Sequence, residues 1–164
     1  MFVVIMGVSG SGKTTIGRML AKRLGWPFYD ADDFHSPANV AKMTAGMPLT
    51  DEDRAGWLES LAELIERRAG AVENGVIACS ALKKAYREIL ARSDRERVKF
   101  VYLRGSYEVI AERMKSRGAH FMKPAMLQSQ FDILEEPAGV FSVDVSLPPE
   151  EIVGKIVEQV VERG

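Results

Sequence analysis

The chain has 164 residues, 46% of them hydrophobic and 27% charged, which is the size and composition of one ordinary soluble globular domain. A formal net charge of −1 gives no electrostatic basis for nucleic acid as a partner, and the apolar runs are too short to span a membrane. The single cysteine excludes an internal disulfide, and Met1 leads directly into an apolar segment, so we expect no leader peptide and a cytoplasmic protein.

The first pattern along the chain is a strand, a glycine-rich turn and a helix. Residues 2–6 form an apolar run of strand length, and apolar residues recur at helical spacing from Ile16 to Leu24. Between them, residues 7–14 read Gly-Val-Ser-Gly-Ser-Gly-Lys-Thr and match the G-x-x-x-x-G-K-[ST] template at every fixed position. The alternative, a glycine-rich turn without a ligand, is disfavoured by the complete motif and its context.

This loop predicts a site for a nucleoside triphosphate. Its glycines allow the backbone N–H groups to approach phosphate at the positive end of the following helix. Lys13 is expected to reach the β- and γ-phosphates, and the Thr14 hydroxyl to ligate Mg²⁺. The predicted nucleotide-binding residues of the loop are Gly7, Val8, Ser9, Gly10, Ser11, Gly12, Lys13 and Thr14.

Acidic side chains follow the second predicted strand, Trp26–Tyr29. Asp30, Asp32 and Asp33 lie where this strand ends, and ligands of open α/β sheets collect outside the carboxyl ends of strands. A carboxylate there can hold Mg²⁺ through water, or accept the proton of an attacking hydroxyl. The alternative is that these aspartates cap the next helix or form a turn.

Helices and strands alternate along the rest of the chain. We predict helices from Pro37 to Gly46, from a capping box at Thr50 to before Gly75, after a cap at Ser80, after Gly105, over 125–134 and from Pro148 onward, with strands at 76–79, 98–103 and 142–146. This alternation predicts a single α/β domain over residues 1–164, with a parallel sheet covered on both faces.

A basic stretch lies within residues 113–124. It contains Arg113, Lys115, Arg117 and Lys123, together with His120, and no acid. Arginines that close over a transferring phosphoryl group stabilise its charge and exclude water, so we predict a mobile lid here. A solvated basic helix end is the alternative.

Three segments together make the chain resemble the gluconokinases, small P-loop gluconate kinases related in fold to shikimate and adenylate kinases. They are residues 7–14, the run from Phe28 to His35 (Phe-Tyr-Asp-Ala-Asp-Asp-Phe-His) and the run from Cys79 to Lys84 (Cys-Ser-Ala-Leu-Lys-Lys). The resemblance extends from Val3 to the terminal helix. It implies phosphorylation of D-gluconate by ATP and Mg²⁺ at the 6-hydroxyl, a three-layer P-loop kinase sandwich with sheet order 2-3-1-4-5, a lid and a homodimer.

The resemblance also implies roles for individual residues. Asp30 would support the metal through water, Lys13, Asp32 and Arg117 would be catalytic, and Arg113 and Arg117 would be lid arginines that contact ATP. The acceptor would be bound by Asp32, His35, Arg54, Lys83, Arg87, His120 and Gln130. A pair such as Arg54 and Arg87 suits a carboxylate, which arginine binds in a bidentate fork. The lid, Arg117-Gly118-Ala119-His120-Phe121, departs from the family's Arg-x-Gly-His-Phe because its glycine stands one place earlier.

Two other functions are compatible with a phosphate-binding loop. A kinase for a shikimate-like acceptor is expected to carry a glycine-rich segment after the third core strand, where this chain has Cys79-Ser80-Ala81. The other is a nucleotide-dependent switch or binding module without small-molecule catalysis. A GTPase switch of this kind requires an Asn-Lys-x-Asp segment, and no such tetrapeptide occurs in the sequence.

Overall fold

The computed structural model describes residues 1–116 and 124–163 and is built around a parallel sheet of five strands. The strands are β1 (Phe2–Met6), β2 (Phe28–Asp30), β3 (Gly75–Ala78), β4 (Val98–Arg104) and β5 (Phe141–Asp144). Every adjacent pair is parallel, and the order across the sheet is β2-β3-β1-β4-β5. The predicted sheet and its order are confirmed.

Helices connect the strands. They are α1 (Lys13–Leu24), a 3₁₀ helix (Ala31–Phe34), α2 (Pro37–Thr44), α3 (Asp51–Gly70), α4 (Lys84–Leu90), α5 (Tyr107–Ser116), α6 (Pro124–Ile133) and α7 (Pro149–Ile156), which continues as a π-helical segment (Val157–Glu162). The predicted capping box opens α3, since Thr50 Oγ accepts from the Asp53 N–H and the Asp53 side chain accepts from the Thr50 N–H.

The predicted cap at Ser80 is wrong. Helix α4 begins only at Lys84, whose N–H donates to the Glu135 carboxylate at 2.8 Å. Residues 80–83 remain a loop in which Ala81 has a φ of 44°, a left-handed conformation that few residues other than glycine adopt. A carboxylate from a distant part of the chain therefore caps this helix, which no local pattern indicates.

Two apolar layers cover the two faces of the sheet. β1 is completely buried, and its alternating side chains enter different layers. Phe2, Val4 and Met6 pack in one layer with residues of α3 and α4, whereas Val3 and Ile5 pack in the other with residues of α1, α5 and α7. Each fully buried aliphatic side chain contributes about 1.5–3 kcal/mol, so the end of β1 is firmly fixed.

The predicted lid is described only at its two ends. Of residues 113–124, the structure describes Arg113 to Ser116, the last turn of α5, and the start of α6, while 117–123 lie outside the described residues. Among the described residues, no helix is long and apolar enough to cross a membrane.

Two glycines with opposite surroundings test the packing of the sheet. A Cβ on Gly75 of β3 would lie 2.6 Å from a ring carbon of the buried Phe2, whereas a Cβ on Gly56, exposed within α3, would meet no atom within 4 Å. We expect Gly75→Ala to lower the free energy of unfolding by about 1–3 kcal/mol, and Gly56→Ala to raise it by about 0.5–1 kcal/mol. Urea unfolding of both variants measures this, and equal effects of the two would contradict the packing described.

Candidate active site

The glycine-rich loop between β1 and α1 has the backbone of an anion-binding site. Gly7, Gly10 and Gly12 have φ values of 148°, 79° and 98°, in the region that favours glycine. A Cβ on Gly10 would lie 2.7 Å from Met114 of α5, so this glycine allows the loop to pack against that helix. Within the described part of the chain, no atom lies within 4 Å of the corresponding position on Gly12, which leaves an open cradle among these residues at the N-terminus of α1.

Lys13 lies at the centre of this region. Its Nζ donates to the Val8 carbonyl at 2.9 Å, which folds the side chain back over the loop. Desolvation lowers the pKa of Lys13, and the nearby carboxylate of Asp32 opposes that shift. A partly desolvated ammonium group over the cradle is suited to bind phosphate oxygens.

Asp30, at the end of β2, connects the loop to the neighbouring strand. One carboxylate oxygen accepts from Thr14 Oγ1 at 3.0 Å, and the other accepts from the Asp32 N–H at 3.1 Å and so caps the 3₁₀ helix. Asp30 is therefore a cap, as the alternative interpretation expected, and it also faces the loop, while its predicted role at the metal stays a prediction. A hydroxyl and a carboxylate side by side are hard oxygen donors that fit Mg²⁺.

No cluster of three or more His, Cys, Asp or Glu side chains suited to hold a metal occurs within 1–116 and 124–163. Mg²⁺ at a nucleotide site needs no such cluster, because phosphate oxygens and water supply most of its ligands. The pair Thr14 and Asp30 is therefore the donor set in the described residues that matches the metal predicted from the loop.

Helix α3 holds Ala31 and His35, which flank Asp32 in the chain. Trp57 of α3 donates its indole N–H to the Ala31 carbonyl at 2.7 Å, and its ring stacks on the His35 ring with a centroid distance of 4.4 Å. The Asp32 side chain is 83% exposed. Desolvation and the neighbouring Asp30 raise the pKa of Asp32, although contact with solvent moderates the shift.

Two adjoining cavities open at this end of the sheet. The loop cavity, about 210 Å³, is lined by Ser9, Gly10, Gly12, Lys13, Thr14, Thr15, Asp30, Asp32 and Ala78. The Trp57 cavity, about 180 Å³, is lined by Ser9, Lys13, Asp32, His35, Met43, Pro48, Leu49, Arg54, Trp57, Ser80, Leu82, Met126, Ser129 and Gln130. The two share Ser9, Lys13 and Asp32, so a group bound in one lies next to a group bound in the other.

Arg54 of α3 and Gln130 of α6 both line the Trp57 cavity. The Arg54 guanidinium donates to the Leu49 carbonyl at 2.7 Å and to the Tyr86 hydroxyl at 3.3 Å. Gln130 accepts from the Ser9 N–H at 2.7 Å and donates to Ser9 Oγ at 3.0 Å. Each of these polar side chains is thus held in place before any ligand binds.

The other predicted cations have different partners. Lys83 Nζ binds both carboxylate oxygens of Asp51 at 2.9 Å. Arg87 is buried and donates to the carbonyls of Ala81 and Leu82 at 2.9 and 3.1 Å, facing a separate cavity of about 580 Å³ between α4 and residues 135–140. The structure therefore does not bring Arg54 and Arg87 together on one cavity.

The lid residues are described only in part. Arg113 donates to the carbonyl of Val145, just after β5, and lines neither the loop cavity nor the Trp57 cavity. Arg117 and His120 lie outside the described residues.

Sequence reasoning missed much of the Trp57 cavity wall. Trp57 has the helical spacing of an ordinary apolar residue of α3, and Met43, Leu49 and Met126 carry no chemical signal of their own. Ser129 is one residue from the predicted Gln130 and could have been found by that proximity. Tyr86, which orients Arg54, stands next to the predicted Arg87 but contacts α3, whereas Arg87 contacts the loop before α4.

Comparisons with known proteins show the family of the chain. A family model described as shikimate kinase matches residues 9–161. A gluconokinase from Arabidopsis thaliana is 48% identical over 172 residues, covering 96% of this chain and 91% of that protein.

Two solved structures are similar over almost the entire chain. A gluconokinase from Sinorhizobium meliloti 1021 is 41% identical, with a TM-score of 0.86 and coverage of 99% of this chain and 96% of that one. An unliganded sugar kinase from Janibacter sp. HTCC2649 is 45% identical, with a TM-score of 0.90 and coverage of 98% and 94%. Together with the phosphate-binding loop and the two adjoining cavities, these likenesses show that the chain is a P-loop kinase and belongs to the gluconokinase family, within the wider group that shares the shikimate kinase domain.

Proposed function

We propose that this protein transfers the γ-phosphoryl group of ATP to the 6-hydroxyl of D-gluconate and forms 6-phospho-D-gluconate. The observation that carries the proposal is the pair of cavities that share Ser9, Lys13 and Asp32. ATP phosphates in the loop cavity and a sugar acid in the Trp57 cavity would meet at those residues. The gluconokinase relatives narrow the acceptor to gluconate.

Phosphoryl transfer depends mainly on positioning and charge stabilisation. Lys13 and the loop amides hold the β- and γ-phosphates over the cradle at Gly12. The Asp32 carboxylate orients the acceptor hydroxyl and accepts its proton as the oxygen attacks phosphorus, and ADP leaves on the opposite side. A raised pKa makes Asp32 a better proton acceptor than an ordinary aspartate.

Mg²⁺ is part of the proposal, with Thr14 as a ligand and Asp30 supporting it through water. When bound, the metal neutralises phosphate charge that develops during transfer. The Thr14–Asp30 hydrogen bond of 3.0 Å supports this role because it already holds both donors at the edge of the loop cavity.

Arg54 is the cation best placed to bind the acceptor carboxylate. It lines the Trp57 cavity, and Leu49 and Tyr86 hold its guanidinium. Arg87 and Lys83 remain predicted acceptor residues, but their contacts favour support of the cavity wall. His35, Gln130 and His120 as acceptor residues, and Arg113 and Arg117 as lid residues, also stay predictions, as do a homodimer and a cytoplasmic location.

The proposed reaction is tested by ADP release across a panel of sugar acids. We expect turnover with gluconate, weaker turnover with related aldonic acids, none with shikimate, and loss of activity when EDTA removes Mg²⁺. Shikimate as the preferred acceptor would favour the shikimate-like alternative. ATP hydrolysis that no sugar acid stimulates would contradict the proposal.

Asp32→Asn tests the proposed proton acceptor. The amide keeps the size of the side chain but cannot accept a proton, so we expect kcat to fall roughly 10²- to 10⁴-fold while the Kd of ATP is unchanged. Steady-state kinetics and ATP titration measure the two quantities. Full turnover by this variant would rule out the proposed catalytic role of Asp32.

Arg54→Gln tests recognition of the carboxylate. Loss of a charge-assisted hydrogen bond should raise the KM for gluconate about 10- to 100-fold and leave the KM for ATP unchanged. Arg68→Gln is the matched control, because Arg68 lies on the same helix and pairs with Glu73 away from both cavities. If both substitutions changed the KM for gluconate equally, Arg54 would act by stabilising α3 and not by binding a carboxylate.

A further inference from the structure

Asn39 of α2 is a buried polar residue to which the proposed reaction assigns no role. Its residue surface is only 5% exposed, and with Ser11 and Arg87 it makes up the buried polar set of the residues that the structure describes. Asn39 lines neither the loop cavity nor the Trp57 cavity. It lies behind His35, which does line the Trp57 cavity.

The orientation of the Asn39 amide follows from its partners. One side-chain atom lies 2.7 Å from the backbone carbonyl of Asp53, and a carbonyl can only accept, so that atom is the amide nitrogen, Nδ2. The same nitrogen lies 3.4 Å from His35 Nδ1. An amide group has two hydrogens, so it can donate one to each partner.

This donor favours one protonation state of the His35 ring. A ring nitrogen that accepts from a donor carries no proton, so the contact favours a neutral ring with its proton on Nε2. The Nε2 atom lies 4.0 Å from Asp32 Oδ1, beyond a hydrogen bond but within reach of a small rotation of the exposed carboxylate. The His35 side chain is only 5% exposed and is stacked on Trp57, so the ring itself has little freedom to turn.

The groups that face His35 also favour the neutral ring. Desolvation lowers the pKa of His35, Arg54 of α3 lowers it further, and Asp32 opposes both. Trp57, which stacks on the ring, and Asn39, which lies opposite Nδ1, are polar side chains that carry no charge.

We propose that Asn39 is a positioning residue that fixes His35 as the Nε2–H tautomer, so that the ring presents its one hydrogen-bond donor to Asp32. The inference rests on the proposed function for its catalytic meaning. Asp32 and His35 are neighbouring groups that can each accept a proton. With its proton on Nε2, His35 cannot compete as a base on that side, and it can hold one Asp32 oxygen while the other faces the acceptor hydroxyl.

The tautomer can be observed directly, because the chain contains only two histidines. Long-range ¹H–¹⁵N spectra of the full-length protein, labelled with ¹⁵N-histidine, distinguish the two tautomers, and a His120→Asn variant assigns the His35 signals. We expect limiting nitrogen shifts of a pure Nε2–H ring at neutral pH. Averaged shifts, which indicate exchange between tautomers, or shifts of an Nδ1–H ring, would overturn the proposal.

Variants of Asn39 test whether this residue determines the tautomer of His35. In Asn39→Asp, a carboxylate replaces the donor opposite Nδ1, so we expect Nδ1 to acquire a proton and kcat to fall roughly 10²-fold with the KM for ATP unchanged. In Asn39→Ala, which removes both hydrogen bonds without adding charge, we expect averaged tautomers. A His35 spectrum that is the same in both variants as in the parent protein would overturn the role of Asn39.

Lys42→Met is the matched control. Lys42 also joins α2 to Asp53, through an ion pair of 2.7 Å, but it does not contact His35. We expect this variant to keep the Nε2–H tautomer and to lose little of kcat. Loss of kcat equal to that of Asn39→Asp would show that Asn39 only anchors α2. Since the spectra need no turnover, they can support the tautomer even if gluconate proves to be the wrong acceptor.

Discussion

The complete burial of β1 is the constraint on which the site depends. All five residues of this strand are enclosed by β3, β4 and the two apolar layers. The strand therefore ends at a fixed point, and the chain must turn at once from Met6 into α1. Glycines at positive φ make that turn possible and leave its N–H groups directed at the cradle. The buried apolar strand thus fixes the position of the polar loop that forms the binding site.

The parallel sheet then brings the other functional side chains to the same edge. β3 lies between β1 and β2, so Asp30 reaches Thr14 across one strand. The loop after β3 completes the wall, because the Gly7 N–H donates to the Ser80 carbonyl at 3.3 Å. Strand order and strand direction, more than any single side chain, decide that Asp32 and Lys13 are neighbours.

The sequence predicted those parts that depend on local pattern and on topology. The strands and the place of the loop and of Asp30 follow from apolar periodicity and from the rule that parallel strands end at one edge. The sheet order is what the resemblance to the gluconokinases implies. The sequence could not predict where long cationic side chains point. Lys83 and Arg87 stand within one turn of each other in the chain, yet one binds Asp51 and the other binds backbone carbonyls. Such outcomes are decided by partners that only the folded chain brings near.

Arg87 illustrates how a residue of a family segment can support the site through contacts within the protein. Ala81 holds a left-handed conformation that costs about 1–3 kcal/mol in a residue with a side chain. The buried Arg87 guanidinium donates to the Ala81 and Leu82 carbonyls, and Glu135 both caps α4 and donates its N–H to the Leu82 carbonyl. These bonds keep the strained turn in place, and the turn contributes Ser80 and Leu82 to the Trp57 cavity. The Arg87 guanidinium, which the sequence predicts to bind the substrate, therefore stabilises the loop that forms part of the Trp57 cavity wall.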